Sequence, residues 1–231
     1  MRRILIGGTG TNVGKTEVTC LLARGARLHG LEVAALKPVE SGVDPAAPSD
    51  SERLGDAAGH APLALHRFRA PESPHVASRL EGVSVDELDV ARWVDANARA
   101  CTFVEPAGGL FSPTSAVGLG VDWVERLRIT DAFLVAPGRL GVIHDVSATL
   151  LGARGAGVAV PWRAVLVTPL EGEELGHRKC AELRETAIAR WRPGLPVVAV
   201  SSVTRAGWNA SEASRSLWAE VASLLGAPVA R

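Results

Sequence analysis

Short apolar runs and longer amphipathic segments alternate along the whole chain. The first apolar run, Arg3 to Ile6, leads through a glycine-rich turn into a helix predicted from Lys15 to Leu28, which Gly30 ends. A second apolar run follows from Val33 to Leu36. Strand, helix and strand within about thirty residues form a βαβ unit, which predicts a parallel sheet with right-handed crossovers.

The same alternation continues to the C-terminal region. Further strands are predicted over Thr102 to Glu105, Ala132 to Ala136, Ala164 to Thr168 and Val197 to Val200. Further helices are predicted over Ser51 to Ala58, Val85 to Ala98, Val121 to Arg126, Ile143 to Leu151, Lys179 to Trp191 and Ser211 to Leu225. Ser84 and Glu87 have the spacing of a capping box, and Asn209 is the predicted cap of the last helix. No internal repeat or linker is visible, so residues 1–231 are predicted to form a single doubly wound α/β domain.

The turn after the first strand reads GGTGTNVGKT, from Gly7 to Thr16. Between a strand and a helix, such glycines let backbone N–H groups cradle phosphate oxygens at the positive end of the helix. Lys15 would reach the β- and γ-phosphates of a nucleoside triphosphate, and the Thr16 hydroxyl would ligate Mg²⁺. Gly8 stands one position earlier than the first glycine of the usual pattern, so this loop is one residue longer. The alternative is a glycine-rich turn that binds nothing.

Composition narrows the classes of function. Lysine plus arginine and aspartate plus glutamate both number 25, so the net charge is zero and there is no general basic excess for nucleic acid or an anionic membrane. Three widely spaced cysteines without a C-x-x-C pair predict neither a disulfide framework nor a zinc site, and they fit a cytoplasmic protein. No stretch has the length and apolarity of a membrane span or a signal peptide.

Six segments in a fixed order carry a resemblance to a known family. They are GTGTNVGKT (Gly8 to Thr16), KPVESG (Lys37 to Gly42), Ser49-Asp50, Pro71 to Ala77, VEPAGG (Val104 to Gly109) and LGVIH (Leu140 to His144). Together they cover roughly residues 4–170 and resemble segments of the dethiobiotin synthetases, ATP-dependent ligases of biotin biosynthesis. The resemblance implies a P-loop NTPase fold, with a mostly parallel sheet flanked by helices.

The resemblance also implies an activity. A cyclic urea would be closed from 7,8-diaminopelargonic acid, CO₂ (or bicarbonate) and ATP, with Mg²⁺, to give dethiobiotin, ADP and phosphate. Lys37 would hold the carbamate of the diamine, while Thr11 and Ser41 would contact the diamine itself. Two lysines beside the reacting oxygens, Lys15 and Lys37, suit a transition state rich in negative charge.

The same matches imply the positions that bind nucleotide, metal and substrate carboxylate. The residues implied to bind ATP are Gly8, Gly10, Thr11, Asn12, Val13, Gly14, Lys15, Thr16 and Glu105. Mg²⁺ prefers oxygen ligands, and the metal positions of the family fall on Thr16, Asp50 and Glu105. The turn that binds the substrate carboxylate falls on Gly141, Val142 and His144. In the family this turn comes from the partner subunit, which implies a homodimer with an active site completed across the interface.

Several positions depart from the family pattern. Gly10 replaces an acidic residue, and Pro106 replaces a glycine and so removes a backbone N–H. Val165 and Leu166 stand where the family has a base-reading Asn-Asp pair, and valine cannot pair with a base edge. His144 replaces an asparagine and either donates to the substrate carboxylate or caps its helix. These changes leave two alternatives open: a nucleotide-binding switch without ligase chemistry, and a related P-loop amide ligase with another substrate.

Overall fold

The computed structural model describes residues 1–169, 171–201 and 210–226. Its strands are β1 Arg2–Gly8, β2 Val33–Leu36, β3 Val39–Glu40, β4 His66–Arg67, β5 Cys101–Val104, β6 Asp131–Pro137, β7 Trp162–Thr168 and β8 Val197–Ala199. Six of them form a parallel sheet in the order β2-β5-β1-β6-β7-β8, and β3 pairs with β4 in a separate small sheet.

Helices connect the strands of this sheet. They are α1 Lys15–Leu28, α2 Asp50–Ala58, α3 Pro74–Leu80, α4 Glu87–Asn97, α5 Trp123–Arg126, α6 Val142–Gly155, α7 Glu173–Leu183, α8 Ala189–Trp191 and α9 Ala210–Leu225. A 3₁₀ turn, Gly120–Asp122, leads into α5, and a π-helical segment, Arg184–Ile188, joins α7 to α8. Within the described ranges, no helix combines the length and apolarity needed to cross a membrane.

The sheet is buried on both faces. Ile4 and Ile6 of β1 pack with α1, α2 and α9 on one face. Leu5 points to the opposite face, where the core includes residues of α4 and α5. On that face, Leu134 of β6 and Val165 of β7 pack with α6 and α7. Because both faces of each strand are covered, the strands appear in the sequence as continuous apolar runs.

The carboxyl ends of β2 and β5 bring two charged residues together. These strands pair through Leu36 and Val104, so the residues that follow, Lys37 and Glu105, leave the sheet side by side. The chain runs from β1 to β2 in one direction across the sheet, and β6 lies on the other side of β1. In doubly wound sheets, ligands bind at the carboxyl ends of the strands near such a reversal.

The architecture confirms the predicted fold class, and α1 begins and ends at the predicted residues. Three elements were not predicted: β3, β4 and α3. The two strands are two residues long, which is too short for a periodic pattern, and α3 begins with Pro74 at its first turn. The helix predicted from Lys179 starts earlier, at Glu173. The predicted cap Asn209 lies outside the described residues.

The capping box predicted at Ser84 is wrong. Helix α4 begins after Asp86, whose carboxylate accepts a hydrogen bond from the Leu88 N–H at 2.7 Å. The Glu87 carboxylate turns into the core instead and accepts a hydrogen bond from the Trp123 indole N–H. A capping box would require the Glu87 carboxylate to turn back to the Ser84 N–H. Because this carboxylate bonds to Trp123 instead, the box does not form and Asp86 caps the helix.

A capping box is present at the start of α2. The Glu52 N–H donates to the Ser49 hydroxyl at 3.3 Å, and the Ser49 N–H donates to the Glu52 carboxylate at 2.7 Å. The reciprocal pair satisfies two backbone donors that the first turn would otherwise leave free. It therefore fixes the position of Asp50, the first residue of the helix.

Candidate active site

The loop between β1 and α1 closes around the side chain of Lys15. The Lys15 ammonium donates to the Gly10 carbonyl oxygen at 3.0 Å, and its side chain is largely buried. Gly14 has a left-handed φ of 92° immediately before the helix, and Asn12 has a φ of 56°. A Cβ at Gly8 would lie 2.9 Å from Lys15 Cδ, so the close approach requires glycine. Together, the backbone N–H groups at the start of α1 and the Lys15 charge form a site suited to phosphate.

A buried lysine and two carboxylates meet beside this loop. The Lys37 ammonium donates to Glu105 Oε1 at 2.6 Å and to Asp50 Oδ2 at 2.8 Å. The Glu105 side chain has no exposed surface, and its carboxylate also accepts hydrogen bonds from the Thr16 and Thr19 hydroxyls at 2.7 and 2.8 Å. The cluster is therefore assembled from the carboxyl ends of β2 and β5 and the first turns of α1 and α2.

Burial and charge shift the pKa values in this cluster. Burial lowers the pKa of Lys15 to about 8; the Glu105 carboxylate opposes this change and the Lys37 charge adds to it. Burial alone would also lower the pKa of Lys37, but the Glu105 and Asp50 carboxylates outweigh it and hold that pKa above its ordinary value. Burial alone would raise the pKa of Asp50, but the Lys37 charge and hydrogen bond, with smaller effects of the Thr16 hydroxyl and of Arg53, hold it below its ordinary value. Lys37 and Asp50 are therefore both charged at neutral pH.

Two adjoining cavities open at this edge of the sheet. One, of about 390 Å³, has a strongly charged lining that includes Lys15, Thr16, Lys37, Asp50, Arg53 and Glu105. The other, of about 330 Å³, has a less polar lining that includes Gly42, Pro71, Ser73, Pro74 and Ser112, with one charged residue, Glu72. Thr11, Ser41, Ala107 and Gly108 line both cavities. A charged site thus continues directly into a space suited to an organic molecule.

A larger cavity, of about 580 Å³, lies elsewhere in the structure. Its lining includes Arg154 of α6, Trp162 of β7 and Trp191 of α8. None of the residues predicted for the site borders it. Size alone therefore does not locate the chemistry of this molecule.

The oxygen atoms around Lys37 fit a magnesium ion. Asp50 and Glu105 both contact the single Lys37 ammonium, so their carboxylates lie within reach of a common cation. The Thr16 hydroxyl lies 2.7 Å from Glu105 Oε1 and adds a third hard oxygen. Within residues 1–169, 171–201 and 210–226, no group of three or more His, Cys, Asp or Glu side chains could hold a metal. Mg²⁺ would therefore also need phosphate or water oxygens, which are its usual ligands.

Known proteins are similar to this chain over most of its length. A family model described as an AAA domain matches residues 2–202. The ATP-dependent dethiobiotin synthetase BioD of Caulobacter vibrioides (strain NA1000 / CB15N) is 35% identical over 207 residues, which span 84% of this chain and 94% of the relative. The chain belongs to the dethiobiotin synthetase family. The protein of the same name from Caulobacter sp. (strain K31) is 40% identical over 172 residues, 69% of this chain and 74% of the relative. The predicted resemblance is confirmed, and this dethiobiotin synthetase family member is an ATP-dependent ligase of the class that forms C–N bonds.

Solved structures similar to this family member show its fold type. The structure of pNOB8 ParA bound to nonspecific DNA matches with a TM-score of 0.61 at 10% identity, over 97% of this chain and 98% of the other. HypB from Helicobacter pylori, solved in complex with nickel, matches with a TM-score of 0.53 at 15% identity, over 98% of this chain and 86% of the other. At such low identities the likeness is one of fold alone, and it agrees with the predicted α/β fold class.

The residues predicted for the synthetase site fall into two groups in space. Nine of them line the two adjoining cavities: Thr11, Asn12, Gly14, Lys15, Thr16, Lys37, Ser41, Asp50 and Glu105. Three predicted residues of the loop, Gly8, Gly10 and Val13, line neither cavity. The predicted carboxylate turn lines neither cavity. In that turn Gly141 caps α6 with a φ of 94°, Val142 is buried, and His144 is exposed on the first turn of the helix. One chain therefore brings most of the residues predicted to bind nucleotide, metal and diamine together, but not the predicted carboxylate turn.

The positions aligned with the base-reading pair lie inside β7. Val165 and Leu166 are fully buried, with side chains on opposite faces of the sheet. Neither lines the charged cavity, so neither side chain can contact a base there. The strand ends at Thr168, whose hydroxyl donates to the Val13 carbonyl oxygen at 2.9 Å and ties this strand to the phosphate loop.

Arg53 and Glu17 also line the charged cavity, and the motifs do not single them out. Arg53 lies three residues after Asp50 on α2, so helical spacing alone could have placed both on one face. Lysine usage is a second signal, because only three of the 25 basic residues are lysines. Two of the three, Lys15 and Lys37, lie in this site.

Proposed function

We propose that this chain is a dethiobiotin synthetase, which closes a cyclic urea from 7,8-diaminopelargonic acid, CO₂ and ATP. Family membership supports the reaction type. The observation that carries the proposal is a second buried lysine, Lys37, which lines the charged cavity together with Lys15, beside the less polar cavity. A nucleotide switch needs Lys15 to bind phosphate but has no use for Lys37.

The proposed reaction forms two C–N bonds. One amine of the diamine adds to CO₂ and loses a proton, which gives a carbamate. A carbamate oxygen attacks the γ-phosphorus of ATP, ADP leaves, and a mixed carbamic–phosphoric anhydride forms. The second amine attacks the carbamoyl carbon, which closes the urea and releases phosphate and a proton. Because a carbamate is a weak nucleophile, alignment and charge neutralisation carry most of the catalysis.

Charged residues of the cavity have separate roles in this proposal. Lys15 binds the transferred phosphoryl group, and Lys37 holds the carbamate against it. Both ammonium groups would stabilise negative charge that grows in the transition state, in a site largely shielded from water. Asp50, Glu105 and the Thr16 hydroxyl would hold Mg²⁺, which neutralises phosphate charge when bound.

The diamine would occupy the less polar cavity, with Thr11 and Ser41 at the boundary between the two cavities. Its carboxylate would be bound by Gly141, Val142 and His144 of the partner subunit in a homodimer. The exposure of His144 and of the neighbouring Leu140 (83% exposed) supports an interface at this turn. No nucleic acid or membrane takes part in the proposed reaction, which we place in the cytoplasm.

The proposal is tested by supplying ATP, Mg²⁺ and bicarbonate to the purified protein with and without the diamine. We expect phosphate release only with the diamine, and dethiobiotin identified by mass spectrometry. Lys37→Arg keeps the charge but changes its geometry, and is expected to lower the rate by about 100-fold or more. The control is Lys179→Gln, because Lys179 pairs with Glu182 on α7 and lines neither of the two cavities, so its rate should be unchanged.

Two results would contradict the proposal. Phosphate release that does not depend on the diamine, with no dethiobiotin formed, would indicate a nucleotide switch. Phosphate release that depends on a different amine or carboxylate, with the diamine inactive, would indicate a ligase for another substrate. A loss of activity in both Lys37→Arg and Lys179→Gln would mean that the assay reports general damage and not the role of Lys37.

A further inference from the structure

Arg53 of α2 lines the charged cavity. It lies on the same face of the helix as Asp50, three residues earlier. Its Nη2 donates to Glu17 Oε2 of α1 at 2.9 Å. Glu17 directly follows Thr16 and also lines the cavity. The ion pair therefore stands at the rim of the phosphate loop, outside the cluster around Lys37.

This ion pair is easily exchanged. The two side chains are 43% and 41% exposed, and ion pairs at such positions contribute little to stability. Lys37, by contrast, is bound to two carboxylates and is almost fully buried. Arg53 can therefore change partners at a lower cost than Lys37.

The chemistry of Arg53 matches that of a phosphate chain. A guanidinium presents a planar fork of N–H donors that bonds two phosphate oxygens at once, and it stays charged at any working pH. Glu17 carries the same sign of charge as phosphate and lies in the same cavity. A triphosphate would therefore attract Arg53 and repel Glu17.

We propose that Arg53 binds the phosphate chain of the nucleotide, and that Glu17 competes with the nucleotide for this guanidinium. Nucleotide binding therefore requires the Arg53–Glu17 contact to break, and loss of nucleotide restores it. This inference rests on the nucleotide use in the proposed function but not on the identity of the second substrate.

Opposite changes in nucleotide affinity test the proposal. The probe is the Mg²⁺ complex of adenylyl imidodiphosphate, an ATP analogue that resists hydrolysis, and its Kd is measured by calorimetry on the full chain. We expect Arg53→Gln to raise the Kd about 10-fold, as the loss of a charge-assisted hydrogen bond would. Glu17→Gln should lower the Kd by about 2-fold or more, because a competitor is removed. Arg53→Lys should fall between Arg53→Gln and the wild type, since it keeps charge without the fork.

A second ion pair between the same helices provides the control. Arg24 of α1 pairs with Asp56 of α2, and neither lines the charged cavity. Arg24→Gln should leave the Kd unchanged. Thermal unfolding of each variant identifies any loss of folding.

A purely structural role for the pair predicts a different pattern. If Arg53 and Glu17 only tie α1 to α2, then Arg53→Gln and Glu17→Gln break the same contact and shift the Kd in the same direction, and that result overturns the proposal. An unchanged Kd in Arg53→Gln also overturns it. If the wild type fails to bind the analogue, this inference and the ATP-dependent function both fall. If the wild type binds it and the variants behave as expected but no dethiobiotin forms, only the proposed substrate falls.

Discussion

Lys37→Met is the substitution that tests how the charged cluster contributes to stability. The methionine side chain keeps a long unbranched shape but has no ammonium group to place between Glu105 and Asp50. Glu105 is fully buried and would keep only its hydrogen bonds from the Thr16 and Thr19 hydroxyls. A buried carboxylate without a cation is therefore the direct result of the change.

The burial of each partner sets the expected magnitudes. Removing one partner of a buried ion pair costs about 3–5 kcal/mol, because the remaining charge stays uncompensated. This range applies to Lys37→Met, since Glu105 is 0% exposed. Asp50 is 38% exposed, so Asp50→Asn leaves the buried pair intact and is expected to cost at most about 1 kcal/mol. For a chain of this size, the larger loss corresponds to a fall in Tm of about 6–20 °C.

Urea unfolding followed by tryptophan fluorescence measures these differences, because Trp123 and Trp218 are both fully buried. The decisive comparison is the double variant Lys37→Met/Glu105→Gln. It leaves no fully buried charge without a partner, because the remaining carboxylate, Asp50, is 38% exposed. A neutral amide can still bond to the two threonine hydroxyls, so most of the lost stability should return. A loss below about 1 kcal/mol in Lys37→Met, or a double variant no more stable than the single one, would mean that the Lys37 charge does not compensate the buried Glu105 carboxylate.

Two further predictions concern the packing of helices and the buried thiols. Gly25→Ala places a Cβ 2.5 Å from the Cβ of Trp218 on α9 and should lower the free energy of unfolding by about 1–3 kcal/mol. The control is Gly155→Ala, whose Cβ would meet no described neighbouring atom within 4 Å, and it should be neutral or stabilise by up to about 1 kcal/mol. Thermal unfolding compares the two variants. All three cysteine thiols are buried, and burial raises the pKa to about 12 at Cys20 and Cys101 and to about 11 at Cys180. At about pH 8.5 a disulfide reagent should therefore label the denatured protein fully and the native protein hardly at all. The free energy of unfolding should also fall as pH rises above about 8.5, because the thiols lose their protons in the unfolded state but keep them in the folded state. Rapid labelling of the native protein would contradict the second prediction.

Local sequence was enough to predict most of the architecture. The helix from Lys15 to Leu28 and the strand from Val33 to Leu36 have the predicted bounds, because the signals for them are contiguous. Strands buried on both faces appear as unbroken apolar runs, and a glycine-rich turn between strand and helix has few other uses. The phosphate loop was predictable for the same reason, since its whole set of groups lies within ten residues, Gly7 to Thr16.

The capping of α2 and α4 shows where local patterns mislead. Ser49 and Ser84 are each followed by glutamate at the third position, yet only Ser49 forms a capping box. Glu52 is free to turn back to the helix start, whereas Glu87 is drawn into the core by Trp123. The choice depends on a contact with a residue far along the chain, which no local pattern contains.

The order of the main strands and helices, the phosphate loop and the family could be predicted from the sequence, because each is encoded in short contiguous segments. Which charges meet depends on the folded chain. Lys37 and Glu105 are 68 positions apart and meet because β2 and β5 pair in one register, and Arg53 meets Glu17, 36 positions away, because α1 packs on α2. Strand register and helix packing are fixed by the joint burial of distant apolar side chains, so the electrostatics of the site depends on the whole fold.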